Sequence, residues 1–298
     1  MSEEAERSLE LMELQPRVSE VRRFFKVFFG RPVVIFGAII IVILIICAAF
    51  PEWIAPYDPI KQNLRSVLLQ PSSEHLLGTD ALGRDLLSRI IFGARTAVMV
   101  GIVALGIAAV SGMILGLVAG YFGGITYAII MRFIDALMAF PVLLLALAIA
   151  ALLGGGLVNV MIAIGIGMMA GYARVMCGQA ISVRENDYVL AARSSGASNT
   201  RIMFRHVLPN CFPPMIVLMT MMIGMTILFE AGLSFLGIGI KEPTVAWGSL
   251  VNDGYKYLFS HPLLSVAPGI AIILVVYAFN MVGDGVRDAI DPRLRGTL

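Results

Sequence analysis

Five stretches of this sequence contain no Asp, Glu, Lys or Arg: 32–51, 96–131 (with its most apolar part at about 97–119), 136–173, 210–229 and 261–283. A helix that crosses a bilayer needs about 20 apolar residues, because the hydrocarbon layer is about 30 Å thick. Every backbone polar group must also be satisfied inside that layer, which restricts a spanning segment to helix or closed barrel. Four of the runs fit one span each. The run 136–173 has 38 residues, so it must turn back on itself. Gly154-Gly155-Gly156 and Asn159, near its middle, supply the break. The expected fold is all-α integral membrane with six transmembrane helices. The composition agrees: 58% hydrophobic, 14% charged and a mean hydropathy of +0.88, whereas soluble domains are about a quarter charged. No basic tract of the nucleic-acid-binding kind is present, and a net charge of +2 points to no particular partner.

Lys and Arg set the direction. With an even number of spans both termini lie on one side. The segments of that side hold 15 of the 22 basic residues and the other side 7, so both termini are expected in the cytoplasm. About thirty polar residues precede the first run. That is long for a secretory leader, and the run exceeds a signal core, which favours an uncleaved first span over a cleavage site at Ala48-Ala49. Cys47, Cys177 and Cys211 lie in or beside spans without metal-ligand spacing, so they read as reduced and structural.

The chain then divides into a cytoplasmic leader (1–31), a first span (32–51), an extracytoplasmic segment (52–95), a five-span core (96–283) that includes a cytoplasmic loop (178–209), and a cytoplasmic tail (284–298). In 52–95 the first half is irregular around Pro51, Pro56, Pro59 and Pro71. The second half places Leu82, Leu86, Leu87, Ile90 and Ile91 at helical spacing, an amphipathic helix expected to lie on the membrane or on a neighbour. Residues 238–262, with Pro243 and Trp247, form a second external loop.

The stretch 187–209, DYVLAARSSGASNTRIMFRHVLP, is the most patterned polar segment. Asp187 or Asn186 can cap a first helix. Tyr188, Ala191, Ala192 and Ser195 share one face, and three of those side chains are small. Gly196 can end that helix in the left-handed conformation. Ser198 or Asn199 can cap a second helix that carries Arg201 and Arg205, and Pro209 starts the next span. Residue types alone fit either a surface onto which another protein packs or an amphipathic linker held to the bilayer by its arginines.

The loop resembles the EAA loop of ABC-importer permeases through Leu190-Ala191-Ala192, Gly196, His206 and Leu208-Pro209. Leu190 stands where that pattern has Glu, and His206 where it has Ile. Further blocks resemble C-type permeases of dipeptide and oligopeptide importers: HLLGTDALGRDLLSRIIFGAR (75–95), MRFIDALMAFPVLLLALAIAALLG (131–154), FEAGLSFLGIGIKEPTVAWGSLVNDG (229–254) and FNMVGDGVRDAIDPRLRG (279–296). The resemblance implies a type I ABC importer permease fold in a bacterial or archaeal cytoplasmic (inner) membrane. It implies half of a heterodimeric pore, with a second homologous permease, two ATPase subunits and an extracytoplasmic substrate-binding protein as partners. Tyr188, Leu190, Ala191, Ala192, Gly196, Ala197, Arg201, Arg205, Leu208 and Pro209 would form the ATPase-docking element. With no carboxylate at 190, the small face of the helix carries that fit. The family's close relatives also import nickel complexes, opines and glutathione, so the substrate does not follow. The chain has no G-x-x-x-x-G-K-[ST] phosphate loop. No cofactor is expected on it, and ATP and Mg would be bound by the partner ATPases.

Ionisable groups within a bilayer cost at least about 2.5 kcal/mol and mark function by default. Asp135 and Glu230 are the two acidic candidates for a solute pathway. Asp135 is placed to pair with Arg132 three residues earlier, and Glu230 to cap or brace a helix. Asn280 and Asp284 read as structural, bracing Arg287. Dense methionines, Met215 to Met225 among them, suit either repacking surfaces or ordinary core. Rival readings are an ion-gradient-driven secondary transporter or channel, which would need a charge relay, and an intramembrane hydrolase, which would need a nucleophile with a base in reach. His75, His206 and His261 all lie outside the spans.

Overall fold

The computed structural model describes residues 20–290, in which the regular elements are helices, beside one isolated bridge between Thr79 and Asp85. The elements are α1 (Glu20–Phe28), α2 (Pro32–Ala49), α3 (Pro51–Ile54), α4 (Leu86–Phe122), α5 (Gly124–Met138), α6 (Val142–Leu152), α7 (Leu157–Arg184), α8 (Asp187–Ser194), α9 (Asn199–Ile202), a π-helical turn (Met203–Val207), α10 (Leu208–Phe235), α11 (Trp247–Tyr255) and α12 (Leu263–Ile290). The expected leader before residue 20 and the tail after residue 290 lie outside the described residues.

Five helices are long and apolar enough to cross a membrane, and the pair α5–α6 makes a sixth, bent span. At the centre α4 lies against α7. Lipid tails are as apolar as leucine, so packing in a membrane depends on close approach rather than on escape from water. The sequence provides it through small residues at Ala104, Ala108, Gly112, Gly116, Ala119 and Gly120 of α4, while Gly101 faces Ile223 and Ile227 of α10. A Cβ at Gly112 would come within 2.5 Å of the Met169 carbonyl oxygen, and one at Gly116 within 2.3 Å of that of Ala173. Around this pair α10 crosses α12 where Gly224 meets Val276 and Gly283 meets Met221, and α2 meets α12 at Gly37 and Gly285. An ion pair, Arg31 Nη1 to Asp288 Oδ2 at 2.5 Å, ties the foot of α2 to the foot of α12.

The triple glycine breaks the 136–173 run: Gly154, Gly155 and Gly156 all have positive φ, between α6 and α7. Four boundaries differ from the sequence expectation. The third span is itself broken, with α5 and α6 meeting at 91°. Pro141 has no amide to give Leu137, and a residue before proline avoids the helical region, so α5 stops. The amphipathic helix expected in 82–95 is not a separate surface element. Asp85 caps it by accepting the Ser88 amide at 2.8 Å, and it runs without interruption into the second span as α4, whose 37 residues extend about 55 Å. The fifth span does not start at Pro209: the helix is continuous from Asn199 to Phe235, with a π turn absorbing the proline. The external loop 238–262 contains α11, whose Trp247 is buried and donates from Nε1 to the Ile90 carbonyl at 2.9 Å.

Gly116→Leu is expected to force α4 from α7 and to destabilise the purified protein by about 1–3 kcal/mol, read as a lowered Tm in detergent. Gly106→Ala, at a position where an added Cβ meets nothing within 4 Å, leaves Tm unchanged.

Candidate functional site

Three groups of polar residues stand out, one at each membrane surface and one between them. At the face that holds 178–209, α8 ends in a complete Schellman motif: Ala197 N donates to Ala192 O at 3.1 Å, Gly196 N donates to Arg193 O at 3.0 Å, and Gly196 has φ +77°. This arrangement satisfies the last carbonyls and turns the chain sharply. Neither Asp187 nor Asn186 caps α8 by its side chain, since Asn186 occupies the cap position while its Nδ2 donates backwards to Val183 O at 3.1 Å. Ser198 does cap α9, accepting from Arg201 N at 3.4 Å.

The inner face of the loop is anchored by Val189, Ile202 and Val207, all fully buried in the main apolar cluster with Tyr121 and Val183. The opposite face is open. Tyr188, Leu190, Ala191, Ser195, Gly196, Arg201, Arg205 and Pro209 are exposed, while Ala192, Ala197, His206 and Leu208 are half-buried. A shallow groove runs along Ala192, Ser195, Gly196, Ala197, Arg201, Arg205 and His206, so seven residues of the loop line one concavity with two guanidinium groups on its rim. At its far end Leu208 N donates to Met203 O, five residues back. Asn210 Nδ2 takes up the His206 carbonyl at 2.7 Å.

Two side chains tie this loop to α4. Arg184 Nη1 donates to the Gly120 and Tyr121 carbonyls at 2.8 and 3.3 Å. A cation there suits the negative end of the α4 dipole. The Tyr121 hydroxyl donates to Asn199 Oδ1 at 2.9 Å, across 78 residues of sequence.

Between the surfaces, Asp135 pairs with Arg174 of α7 rather than with Arg132. Arg174 lies ten residues before the end of α7, which continues past the charge-free run to Arg184. Glu230 is 1% exposed and is turned into the chain's own interior. Its Oε1 accepts from Ser234 Oγ at 2.6 Å, and Ser234 Oγ accepts the Ile240 amide at 3.1 Å. This places the carboxylate at the brace between α10 and the following turn.

On the opposite side lies a cluster that the sequence reading passed over. Asp80 Oδ2 accepts from Arg84 Nε at 2.7 Å and from Arg89 Nη1 at 2.6 Å. Glu242, from the other external loop, accepts from Arg84 Nη1 at 2.7 Å and Arg89 Nη2 at 3.1 Å. Arg84 and Arg89 are 6% and 3% exposed. Burial opposes the charge on Arg84, but hydrogen bonds to Glu242 and Asp80 outweigh it and raise its pKa. Burial raises the Asp253 carboxyl in the same cleft, partly offset by Arg89. His75 and Asp85 meet at 2.9 Å beside the cluster. The sequence signal was the block TDALGRDLLSR, in which one acid and two bases recur at four- and five-residue spacing. Among the described residues no three His, Cys, Asp or Glu side chains are grouped to hold a metal.

The chain is a bundle of membrane helices with a polar grooved surface at one end and an ion-braced cap at the other, the architecture of a transport subunit. The comparisons specify which. Residues 112–296 match the family described as binding-protein-dependent transport system inner membrane component, and residues 19–71 match the N-terminal TM domain of oligopeptide transport permease C. The chain belongs to this family of ABC-importer permeases. It is 40% identical over 90% of its length, and 90% of the other chain's, to the probable D,D-dipeptide transport system permease protein DdpC of Escherichia coli K12. It is 41% identical, at 93% coverage of both chains, to the di/tripeptide transport system permease protein DppC of Pseudomonas aeruginosa. To the glutathione transport system permease protein GsiD of Pectobacterium atrosepticum it is 39% identical, covering 92% and 91%. The inward-facing MetNI methionine ABC transporter shares its fold at a TM-score of 0.55 and 17% identity, over 69% of this chain and 98% of that one. The fold is that of a type I ABC importer permease in the inner membrane, and the ion-gradient alternative gives way to it.

Asp80→Ala would leave two buried guanidinium groups sharing the half-exposed Glu242 as their one remaining carboxylate partner. It is expected to cost about 3–5 kcal/mol, measured as thermal unfolding and as the yield of membrane-inserted protein, with Arg65→Ala on the exposed surface as the neutral control.

Proposed function

We propose that this chain is the C-type permease of an ATP-driven importer of di- and oligopeptides or related small solutes, with both termini in the cytoplasm. The observation that carries the reading is full-length similarity of about two fifths to permeases whose names specify dipeptide, di/tripeptide and glutathione transport. One such chain supplies half of a pore. A second permease of similar fold, two ATPase subunits and an extracytoplasmic substrate-binding protein complete the machine. ATP and Mg belong to the ATPases.

The exposed groove from Ala192 to His206 is the surface that fits an ATPase subunit. Its small residues let another backbone approach, and Arg201 and Arg205 offer charge to an acidic rim. The buried residues Val189, Ile202 and Val207 hold the groove to the helix bundle. Closure of the ATPase pair on ATP would move the two docking elements together, and Tyr121 and Arg184 would pass that movement to α4. A loop that only held an amphipathic stretch to the bilayer would need neither the Schellman turn nor the long-range bond from Tyr121 to Asn199.

Affinity purification of the tagged chain from its native membrane is the test. A second six-span permease and P-loop ATPases are expected with it. Ala191→Trp, which adds bulk on an exposed face, should release the ATPases and keep the permease partner. A chain that purifies alone and moves solute down an ion gradient would overturn the proposal. Tyr121→Phe, which removes one hydrogen bond worth about 0.5–1.5 kcal/mol, should leave the ATPases bound and lower the solute moved per ATP hydrolysed in proteoliposomes.

A further inference from the structure

The Asp135–Arg174 pair joins two helices of the membrane bundle, and it is not enclosed. Helix α7 has 28 residues and is therefore about 42 Å long, against about 30 Å of hydrocarbon. With the helix centred in that layer, Arg174 falls about 5 Å from the middle. Yet the two side chains are 50% and 49% exposed. Helix α7 is otherwise the most enclosed of the five long membrane helices. The opening continues along one face: Gly171 and Gly178, three residues before and four after Arg174, have nothing within 4 Å of an added Cβ. Intramembrane charges face the bundle interior or a water-filled cavity, not lipid tails.

The placement of Asp135 adds a second argument. It sits in the last turn of α5, next to the sharp break before α6. The negative end of a helix dipole disfavours a carboxylate there. The apolar contact of α5 with α4 and α7 is made separately, by Met131 and Ile134. An acid in an unfavourable position, matched to one guanidinium across an open face, is poised to change partners.

We infer that Asp135 and Arg174 line the solute path and bind, in passing, a solute that carries one free ammonium and one free carboxylate. This rests on the importer reading above. The planar guanidinium accepts a carboxylate through two parallel hydrogen bonds, and Asp135 takes the ammonium. Exchange of the internal pair for two pairs with a zwitterion leaves no charge uncompensated at any stage, which matters most where the dielectric is low. A solute of net charge would leave one group unmatched.

The test uses the whole transporter in proteoliposomes, with binding protein, ATP and L-alanyl-L-alanine as the probe. Asp135→Asn with Arg174→Gln, and the exchanged pair Asp135→Arg with Arg174→Asp, are each expected to lower uptake by about tenfold or more. ATPase activity stimulated by the loaded binding protein should persist in both. Wild-type uptake by the exchanged pair would overturn the inference, because it would show that the two groups only tie α5 to α7. In a separate arm Gly171→Cys, on the span side of Arg174, is placed in a chain whose Cys47, Cys177 and Cys211 are replaced by serine or alanine. It is expected to react with a charged, membrane-impermeant thiol reagent, whereas Ile273→Cys on α12 does not. Absence of reaction at 171 with and without ATP would equally overturn the inference. A wild-type complex that moves no peptide on ATP would defeat the importer reading instead, and the labelling arm would still decide whether this face meets water.

Discussion

The close approach of α4 to α7 is the constraint on which the rest of this structure depends. Within a bilayer no solvent drives helices together, so the contact must come from backbones that touch. Glycine at 112, 116 and 120 lets α4 rest on the carbonyls of Met169, Ala173 and Cys177. Once that contact is fixed, the other elements have defined positions. Helix α5 packs across both through Met131 and Ile134, and α6 returns along α7. The loop 187–209 is seated where Val183 and Tyr121 end the pair. The same logic recurs in smaller form where α10 and α2 meet α12, each time at a glycine.

Much of the fold was legible in the sequence because exclusion of charge from hydrocarbon is a strong and local rule. Runs without Asp, Glu, Lys or Arg marked the spans, and Gly154-Gly155-Gly156 marked the one turn hidden inside a run. Gly196 was legible for a similar reason: a glycine after a short capped helix has few uses other than a left-handed stop. The break at Pro141 was not, since proline is common in membrane helices and often only bends them. Helix α7 runs on through Arg174 to Arg184, beyond the end of the charge-free run at Ala173. A snorkelling or paired arginine extends a membrane helix without appearing apolar.

The ion cluster around Asp80 shows the other limit. Asp80, Arg84 and Arg89 are close in sequence, but their fourth member, Glu242, is more than 150 residues away. Reading along a chain finds charges that share a helix face, and it finds no partner that arrives from another loop. Trp247 is a similar case: its indole is held by the Ile90 carbonyl and covers Gly93. The cap over the outer end of the bundle is therefore a tertiary product. It is made of ordinary surface residue types that become buried only because two external loops close on each other.

Helix α4 joins these two regions without a break. Arg89 near its first turn belongs to the ion cluster on one side of the membrane, and Tyr121 near its last turn is bonded to the loop on the other. A single helix of this length bends little under the forces that proteins exchange, so it behaves as a beam with a fitting at each end. Strain applied at either fitting must be taken up at the other or by the glycine seam between them. Whatever settles on the outer cap and whatever grips the inner loop are thus in mechanical correspondence through one piece of backbone, with no soluble intermediary.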